Sequence, residues 1–147
     1  MKVLKVRKTN KNLKTIREIN RICFPNDTAP LFGLRKHLCW VVVDDGDNVV
    51  GYASGYKRRN FFYLSRSGIL PEFRGNNLQK LLIEERIKYA KENGYDGLMT
   101  HTSIDNIPSI KNLISCGFDR WINHPGWLRK YDSEQFVIWK MDIIPSL

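Results

Sequence analysis

The sequence predicts an α/β fold in which helices flank a mixed β-sheet, and two observations support this class. Two β-rich runs, Trp40–Val43 and Val49–Tyr56, are separated by Asp44-Asp45-Gly46-Asp47-Asn48, where glycine and asparagine tolerate positive φ angles, so an antiparallel hairpin is expected. A strand, a helix and a second strand follow in alternation at Phe61–Leu70, Leu78–Glu92 and Gly97–Ser103. Two strands that a crossover helix joins in this way should be parallel.

Before the hairpin, the alternating run Val3–Lys8 predicts a strand. A helix capped by Asn10 or Asn12 should follow, since Leu13, Ile16, Ile19 and Cys23 share one face, and the Phe24-Pro25 step should end it. Residues 26–38 are expected to be irregular, with a short helix around Leu31–Leu38.

The apolar arc of the helix Leu78–Glu92 is wide enough to predict that it lies against a sheet, and Asn93-Gly94 is a strong stop signal. A second helix should begin after Asp105 or Asn106 and end at Gly117. The last two strands are expected at Phe118–Ile122 and Phe136–Ile143, with a loop rich in Trp, Pro and Gly between them.

Length and composition predict one globular domain spanning residues 1–147. No apolar run is long enough to cross a bilayer, and the alternating start does not resemble a signal peptide, so a cytoplasmic location is expected. Cys23, Cys39 and Cys116 are scattered and lack metal-ligand spacing, which predicts reduced thiols and no structural metal.

The net charge of +9 either attracts an anionic partner or simply keeps the surface solvated. Nucleic acid is one candidate, and a cofactor that carries a pyrophosphate is another. Basic residues are spread along the chain, and the only tight cluster is Lys57-Arg58-Arg59, so charge alone does not decide between these partners.

The most informative segment runs from Ile69 to Leu82, where a strand ends at Pro71 and a short loop leads into a helix. The first N–H groups of a helix lack intrahelical partners and the helix dipole is positive there, so residues 71–79, which we call the cradle, should bind an anion such as a pyrophosphate. No Gly-Lys-Ser/Thr follows and the Rossmann triple glycine is absent, which argues against a nucleotide hydrolase or a dinucleotide site.

Two motifs in this half of the chain resemble those of the GNAT family of N-acetyltransferases. Ile69-Leu70-Pro71-Glu72-Phe73-Arg74-Gly75-x-x-Leu78 resembles the family's motif A, and Asn106-Ile107-Pro108-Ser109-Ile110 through Cys116-Gly117-Phe118 is similar to motif B. Together they cover about residues 60–120 in the correct order. The resemblance implies the GNAT acyl-CoA N-acyltransferase fold, with a mostly antiparallel mixed sheet.

The resemblance also implies an acetyl-CoA-dependent enzyme that moves an acetyl group to a primary amine by direct attack in a ternary complex. The backbone of Ile69 and Leu70 would pair with the pantetheine arm, and the Ile69 N–H would polarise the thioester carbonyl. Asn106 would meet the pantetheine or the sulfur end. The pyrophosphate would be wrapped by Arg74, Gly75, Asn76, Asn77, Leu78 and Gln79.

The chain departs from the family pattern at three positions. Asn77 stands where the family prefers glycine, and Gln79 stands where it prefers glycine or alanine. Leu113 occupies the position of a tyrosine thought to protonate the leaving thiolate. Either another group takes this role, such as Tyr131, Ser115 or a water molecule, or none is needed, because a thiol has a pKa of about 8.5.

The candidate general base is His101. It occupies the position of a glutamate in the subgroup that resembles ribosomal-protein N-terminal acetyltransferases, and a neutral imidazole is suited to the role. The alternative is a half-buried strand residue with no chemical role. Asp105 is a second candidate base, or a helix cap.

The segment Trp121–Trp127, with Tyr131 beyond it, lies where such enzymes bind the acceptor, although its aromatic rings could equally plug the edge of the sheet. Phe61, Phe62 and Tyr63 are expected in the core. The acceptor is expected to be a small-molecule or peptide amine. Two alternatives remain open: an enzyme of the same fold that acts on nucleic acid or aminoacyl-tRNA, and a catalytically inactive binding module. The protein is expected to be a monomer or a homodimer.

Overall fold

The computed structural model describes residues 1–27 and 34–143. Within these ranges the chain forms seven strands and three α-helices, namely β1 (Lys2–Val6), α1 (Asn10–Cys23), β2 (Leu38–Val43), β3 (Val49–Arg58), β4 (Phe61–Ile69), α2 (Leu78–Glu92), β5 (Gly97–Ser103), α3 (Ile107–Ser115), β6 (Asp119–Arg120) and β7 (Phe136–Asp142). Short 3-10 helices occupy Leu34–Lys36, Pro71–Phe73 and Gly126–Tyr131.

The seven strands form one mixed sheet in the order β1-β2-β3-β4-β5-β7-β6. The pairs β1–β2, β2–β3, β5–β7 and β6–β7 are antiparallel, whereas β4 and β5 are parallel. This arrangement confirms the predicted fold class, the early hairpin and the parallel crossover through α2. The pairing of β4 with β5 runs over Phe61–Tyr63 and Gly97–Met99.

The chain divides into two compact units. Unit 1 contains Met1–Tyr56 and Ser65–Glu85, and unit 2 contains Lys57–Leu64 and Arg86–Leu147. The single domain spanning residues 1–147 therefore stays a prediction.

Each unit has apolar packing of its own. In unit 1, α1 packs its apolar face on the early strands, and the buried residues of this cluster are Leu13, Ile16, Ile19, Leu34, Cys39, Val41, Val43 and Tyr52. In unit 2, the buried ring of Phe62 packs against Tyr89 and Tyr95 at centroid distances of 5.1 and 5.3 Å. Phe62 and Tyr63 are buried, as predicted, and Phe61 is half-buried.

The cap of α1 corrects one prediction. Thr9, and neither Asn10 nor Asn12, is the N-cap residue, and its hydroxyl accepts a hydrogen bond from the Asn12 N–H at 3.2 Å. Thr9 has the extended backbone that a cap requires, whereas Asn10 already lies in the helix. The side chain of Asn12 instead donates to the carbonyl of Arg7 at 2.8 Å.

Other boundaries agree more closely with the sequence. The observed bounds of α2 and β5 are the predicted ones, and Asn106 caps α3 through its side-chain oxygen, which accepts from the Ser109 N–H at 3.4 Å. The predicted strand Phe118–Ile122 shortens to β6. Residues 31–33 of the short helix predicted around Leu31–Leu38 lie outside the described residues, and the 3-10 helix Leu34–Lys36 occupies part of the remainder.

Candidate active site

The loop between β4 and α2, in unit 1, has the unusual backbone that the sequence predicts. Gly75 has φ of +86° and Asn77 has φ of +58°, a region that glycine enters freely and asparagine tolerates better than most residues. The side-chain amide of Asn76 donates to the carbonyl of Phe73 at 3.0 Å and braces the loop. Asn77 therefore adopts the left-handed backbone conformation for which the family prefers glycine.

The start of α2 presents N–H groups that the helix itself does not use. The Leu81 N–H bonds the Asn77 carbonyl at 3.1 Å, so the N–H groups of Leu78, Gln79 and Lys80 lie in the first turn, ahead of any intrahelical carbonyl. The first turn contains no acidic residue. A methyl group built on Gly75 would meet no heavy atom within 4 Å, so the space beside this backbone is open. The cradle thus has the backbone donors, the charge and the space that suit a pyrophosphate.

The strand end that precedes the cradle is braced by two side chains. The carbonyl of Ile69 accepts from the Cys23 thiol at 3.3 Å and from Nε of Arg74 at 3.1 Å. The Leu70 N–H donates to the carbonyl of Val50 at 2.9 Å. Two of the backbone groups predicted to meet a pantetheine arm, the Ile69 carbonyl and the Leu70 N–H, are thus engaged within the protein. The prediction remains for the Ile69 N–H and the Leu70 carbonyl.

His101, on β5 in unit 2, lies among aromatic side chains. The Tyr63 hydroxyl is hydrogen bonded to Nδ1 of His101. The imidazole stacks on the ring of Tyr131, with centroids 4.8 Å apart and an interplanar angle of 29°. It meets the Phe136 ring in an edge-to-face arrangement, with centroids 5.9 Å apart. Burial lowers the pKa of His101 below its ordinary value of 6.5, so the imidazole is neutral at pH 7 and can accept a proton.

Two partners of this histidine cluster were not predicted. Tyr63 was expected only in the core, and the residue is indeed only 5% exposed. Its hydroxyl nevertheless reaches His101. Arg58 donates through Nη1 to the hydroxyl of Tyr131. The local sequence has no signal for Tyr63, because its approach to His101 depends on the β4–β5 register. That register pairs Tyr63 with Met99, two residues before His101 on the same face.

The loop between β6 and β7 places its tryptophans in different surroundings. Trp121 packs on Phe61, with ring centroids 5.2 Å apart. Trp127 instead lies beneath two guanidinium groups, with Cζ of Arg58 5.5 Å and Cζ of Arg59 5.2 Å from its ring centroid. The loop therefore contains both a packing residue and a residue surrounded by charge.

The remaining candidates have local roles in the fold. The side-chain oxygen of Asn106 caps α3, so its amide nitrogen can donate to a ligand. Asp105 is exposed and is not the cap. Leu113 is buried at 4% exposure, and the Ser115 hydroxyl donates to the carbonyl of Asn112 at 2.9 Å.

In the part of the chain that the structure describes, no three side chains of His, Cys, Asp or Glu are grouped as metal ligands, so the absence of a metal stays a prediction. None of the helices in residues 1–27 and 34–143 is both long enough and apolar enough to span a bilayer.

Several solved structures that share this fold are named as acetyltransferases. A Bacillus subtilis acetyltransferase in complex with CoA is 19% identical, with a TM-score of 0.76 over 97% of this chain and 99% of that one. The ribosomal-protein-S18-alanine N-acetyltransferase of Escherichia coli is 14% identical, with a TM-score of 0.75 over 99% and 96% of the two chains. A Bacillus anthracis protein described as a candidate streptothricin acetyltransferase, in complex with acetyl coenzyme A, is 16% identical, with a TM-score of 0.72 over 98% and 100%. No curated protein sequence matches the chain.

These likenesses define the fold as that of an acyltransferase. The profile of the Acetyltransferase (GNAT) family matches residues 13–118, and the chain therefore belongs to the GNAT family of acetyltransferases. Family membership confirms the resemblance drawn from the two motifs and the prediction of an acyltransferase.

Proposed function

We propose that this protein transfers the acetyl group of acetyl-CoA to a primary amine by direct attack within a ternary complex. The observation that carries the proposal is the cradle, where Gly75 and Asn77 have positive φ and three N–H groups of the first turn of α2 lie ahead of any intrahelical carbonyl. Such a junction recognises phosphate through backbone groups. Phosphate binding is therefore compatible with asparagine at position 77, where the family prefers glycine.

The donor would be held mainly by backbone atoms of unit 1. The pyrophosphate would lie against the N–H groups of residues 75–80, with Arg74 and Lys80 adding positive charge. Gln79 is half-buried and contributes its backbone N–H to the same turn. The Ile69 N–H would polarise the thioester carbonyl, and the amide nitrogen of Asn106 would meet the pantetheine arm.

His101 would act as the general base. When its Nδ1–H donates to the Tyr63 oxygen, the lone pair of Nε2 is free to accept a proton from the acceptor ammonium or amine. The amine nitrogen then bonds the acetyl carbon as the carbon–sulfur bond breaks, and the coenzyme leaves as a thiolate that takes up a proton. The products are an acetamide and coenzyme A.

The structural neighbours support the donor more than the acceptor. One binds CoA, one binds acetyl coenzyme A, and another is named for the alanine of a ribosomal protein. For this chain we propose a small amine or a peptide as acceptor. Cys23, Cys39 and Cys116, all within the described residues, are not joined in disulfides. This suits the reducing cytoplasm, where we propose that the reaction occurs.

The first experiment is calorimetry with acetyl-CoA, with coenzyme A and ADP as comparators. Binding of acetyl-CoA that is tighter than that of ADP is expected, because the pantetheine arm adds contacts beyond the phosphates. Absence of acetyl-CoA binding would contradict the proposal and favour the inactive binding module. The net charge of +9 motivates the alternative of an enzyme that acts on nucleic acid, which is tested by RNA binding at low salt.

A further inference from the structure

Unit 2 contains a group of positive side chains around two aromatic rings, which we call the cationic cluster and define as Arg58, Arg59, Lys130, Trp127 and Tyr131. Both guanidinium groups approach the Trp127 ring, at 5.5 and 5.2 Å. Cζ of Arg58 and Nζ of Lys130 approach the Tyr131 ring, at 4.9 and 5.0 Å. Three cations are therefore gathered at one end of the β6–β7 loop.

The acidic side chains that the structure describes do not neutralise these cations. Within residues 1–27 and 34–143, neither arginine nor Lys130 forms an ion pair with an acidic side chain, and the adjacent Asp132 instead contacts Nε2 of His124 at 2.7 Å. Aromatic faces attract cations but do not cancel their mutual repulsion. A convergent group of cations of this kind is stabilised by a bound anion.

The donors of the cluster remain available to such an anion. A guanidinium has five N–H donors, and Arg58 uses Nη1 on the Tyr131 hydroxyl. Arg59 is exposed, and its contact is with the ring of Trp127. Planar guanidinium groups match carboxylate and phosphate oxygens in pairs, which favours these two anions over a halide.

The cluster is adjacent to the proposed base through one shared ring. Tyr131 stacks on His101 at 4.8 Å, and Cζ of Arg58 lies 4.9 Å from the same ring. The distance from the centroid of the imidazole to Cζ of Arg58 therefore cannot exceed the sum of these two distances. One small molecule can span them.

We propose that the acceptor is an amine that also carries a carboxylate or phosphate group, which Arg58 and Arg59 bind while the amine lies beside His101. The inference deepens the proposed function and rests on it, because it names the chemical class of the acceptor. A competing account is that Arg58 only fastens the helix Gly126–Tyr131 through its bond to Tyr131. Arg59 separates the two accounts, since it makes no such bond.

The test compares Arg59→Gln with Lys57→Gln as matched control. Both residues are exposed on the same hairpin and both substitutions remove one positive charge, but Lys57 faces Tyr89 and Tyr95 at the end of α2 and is not part of the cluster. Initial rates are measured with phosphoethanolamine against ethanolamine, and with β-alanine against β-alaninamide. Binding of the two anionic amines is measured by calorimetry without acetyl-CoA, so the result does not depend on the donor.

We expect the wild type to prefer at least one anionic amine over its neutral partner. Arg59→Gln should lower kcat/KM and affinity for that amine by about tenfold or more, because a charge-assisted hydrogen bond is lost. Lys57→Gln should change neither by more than about twofold, since an exposed charge outside the cluster is screened. The phosphate and carboxylate pairs show which of the two anions the cluster prefers.

Equal use of charged and neutral amines, or no binding of either anionic amine, overturns the inference. So does tight, salt-sensitive binding of a short single-stranded RNA that both variants weaken equally, because that pattern indicates a diffuse basic surface. If anionic amines bind and acetyl-CoA does not, the inferred site stands and the proposed transferase activity fails.

Discussion

Replacement of Gly75 by alanine tests whether the cradle holds phosphate, and Gly94 supplies the matched control. Both glycines have positive φ, +86° and +73°, and a methyl group on either one would meet no heavy atom within 4 Å. Gly94 follows the other end of α2, where carbonyl groups and not N–H groups point out of the helix. The two substitutions therefore impose similar backbone strain at sites with opposite chemistry.

The expected loss of stability is the same for both variants. A residue with a Cβ costs about 1–2 kcal/mol in the left-handed region, and neither site adds a clash. Each variant should lower the free energy of unfolding by about that amount, which corresponds to roughly 4 °C in Tm for each kcal/mol. Thermal unfolding of the two variants measures this directly.

The two variants should differ in their affinity for acetyl-CoA. The methyl group of Gly75→Ala enters the open space beside the N–H groups and displaces a phosphate oxygen, with the loss of at least one charge-assisted hydrogen bond of about 1.5–3 kcal/mol. The Kd for acetyl-CoA should rise roughly ten- to hundredfold. Gly94→Ala should bind as the wild type does. Unchanged affinity of Gly75→Ala, or equal losses in both variants, would refute the assignment of the cradle.

Three further substitutions test the chemistry of unit 2. His101→Gln should lower kcat by about 10²–10⁴-fold. In the wild type, the acid limb of the pH profile of kcat/KM should have its midpoint below pH 6.5, because burial lowers the pKa of His101. This limb should disappear in the variant, and its retention would contradict the role of His101 as base. Tyr63→Phe should lower kcat by about fivefold through loss of the bond to Nδ1, with Tyr95→Phe as control, and equal activities would count against it. Asp132→Asn tests His124, whose pKa is raised by its hydrogen bond to Asp132 and by its contact with the Pro125 carbonyl. A raised pKa stabilises the folded state at low pH and the gain is lost as pH rises, so the Tm difference should be present near about pH 5.5 and absent near about pH 8.5, and a pH-independent difference would argue otherwise.

The parts of the fold that sequence predicts well are long segments with one period and strong ends. The helix α2 keeps its apolar arc over its whole length and stops at Asn93-Gly94, and its predicted bounds are the observed ones. The prediction of the residue that caps α1 was wrong for a physical reason. Thr9, Asn10 and Asn12 all have side chains that can cap a helix, and only the backbone angles of the folded chain select Thr9.

The cradle was predictable because its functional groups are backbone atoms of one contiguous segment. Positive φ at Gly75 and Asn77 follows from residue type, and the free N–H groups follow from the start of a helix. The bond between Tyr63 and His101 joins residues 38 positions apart and depends on the register of two parallel strands. Nothing in the local sequence of either strand specifies that register.

The cationic cluster was still harder to predict, because it depends on an element without a periodic signal. The loop containing Trp127 reads as irregular, since glycine and proline interrupt it, yet residues 126–131 form a 3-10 helix. Three residues per turn place Trp127 in line with Lys130, and place the buried Leu128 in line with Tyr131. Buried Leu128 anchors the helix, whereas Trp127 and Tyr131 both meet Arg58, and Trp127 also meets Arg59. On the proposed function, donor recognition would reside in a local backbone pattern, whereas acceptor recognition would arise from side chains brought together by the fold. The identity of the acceptor is therefore to be sought in those side chains.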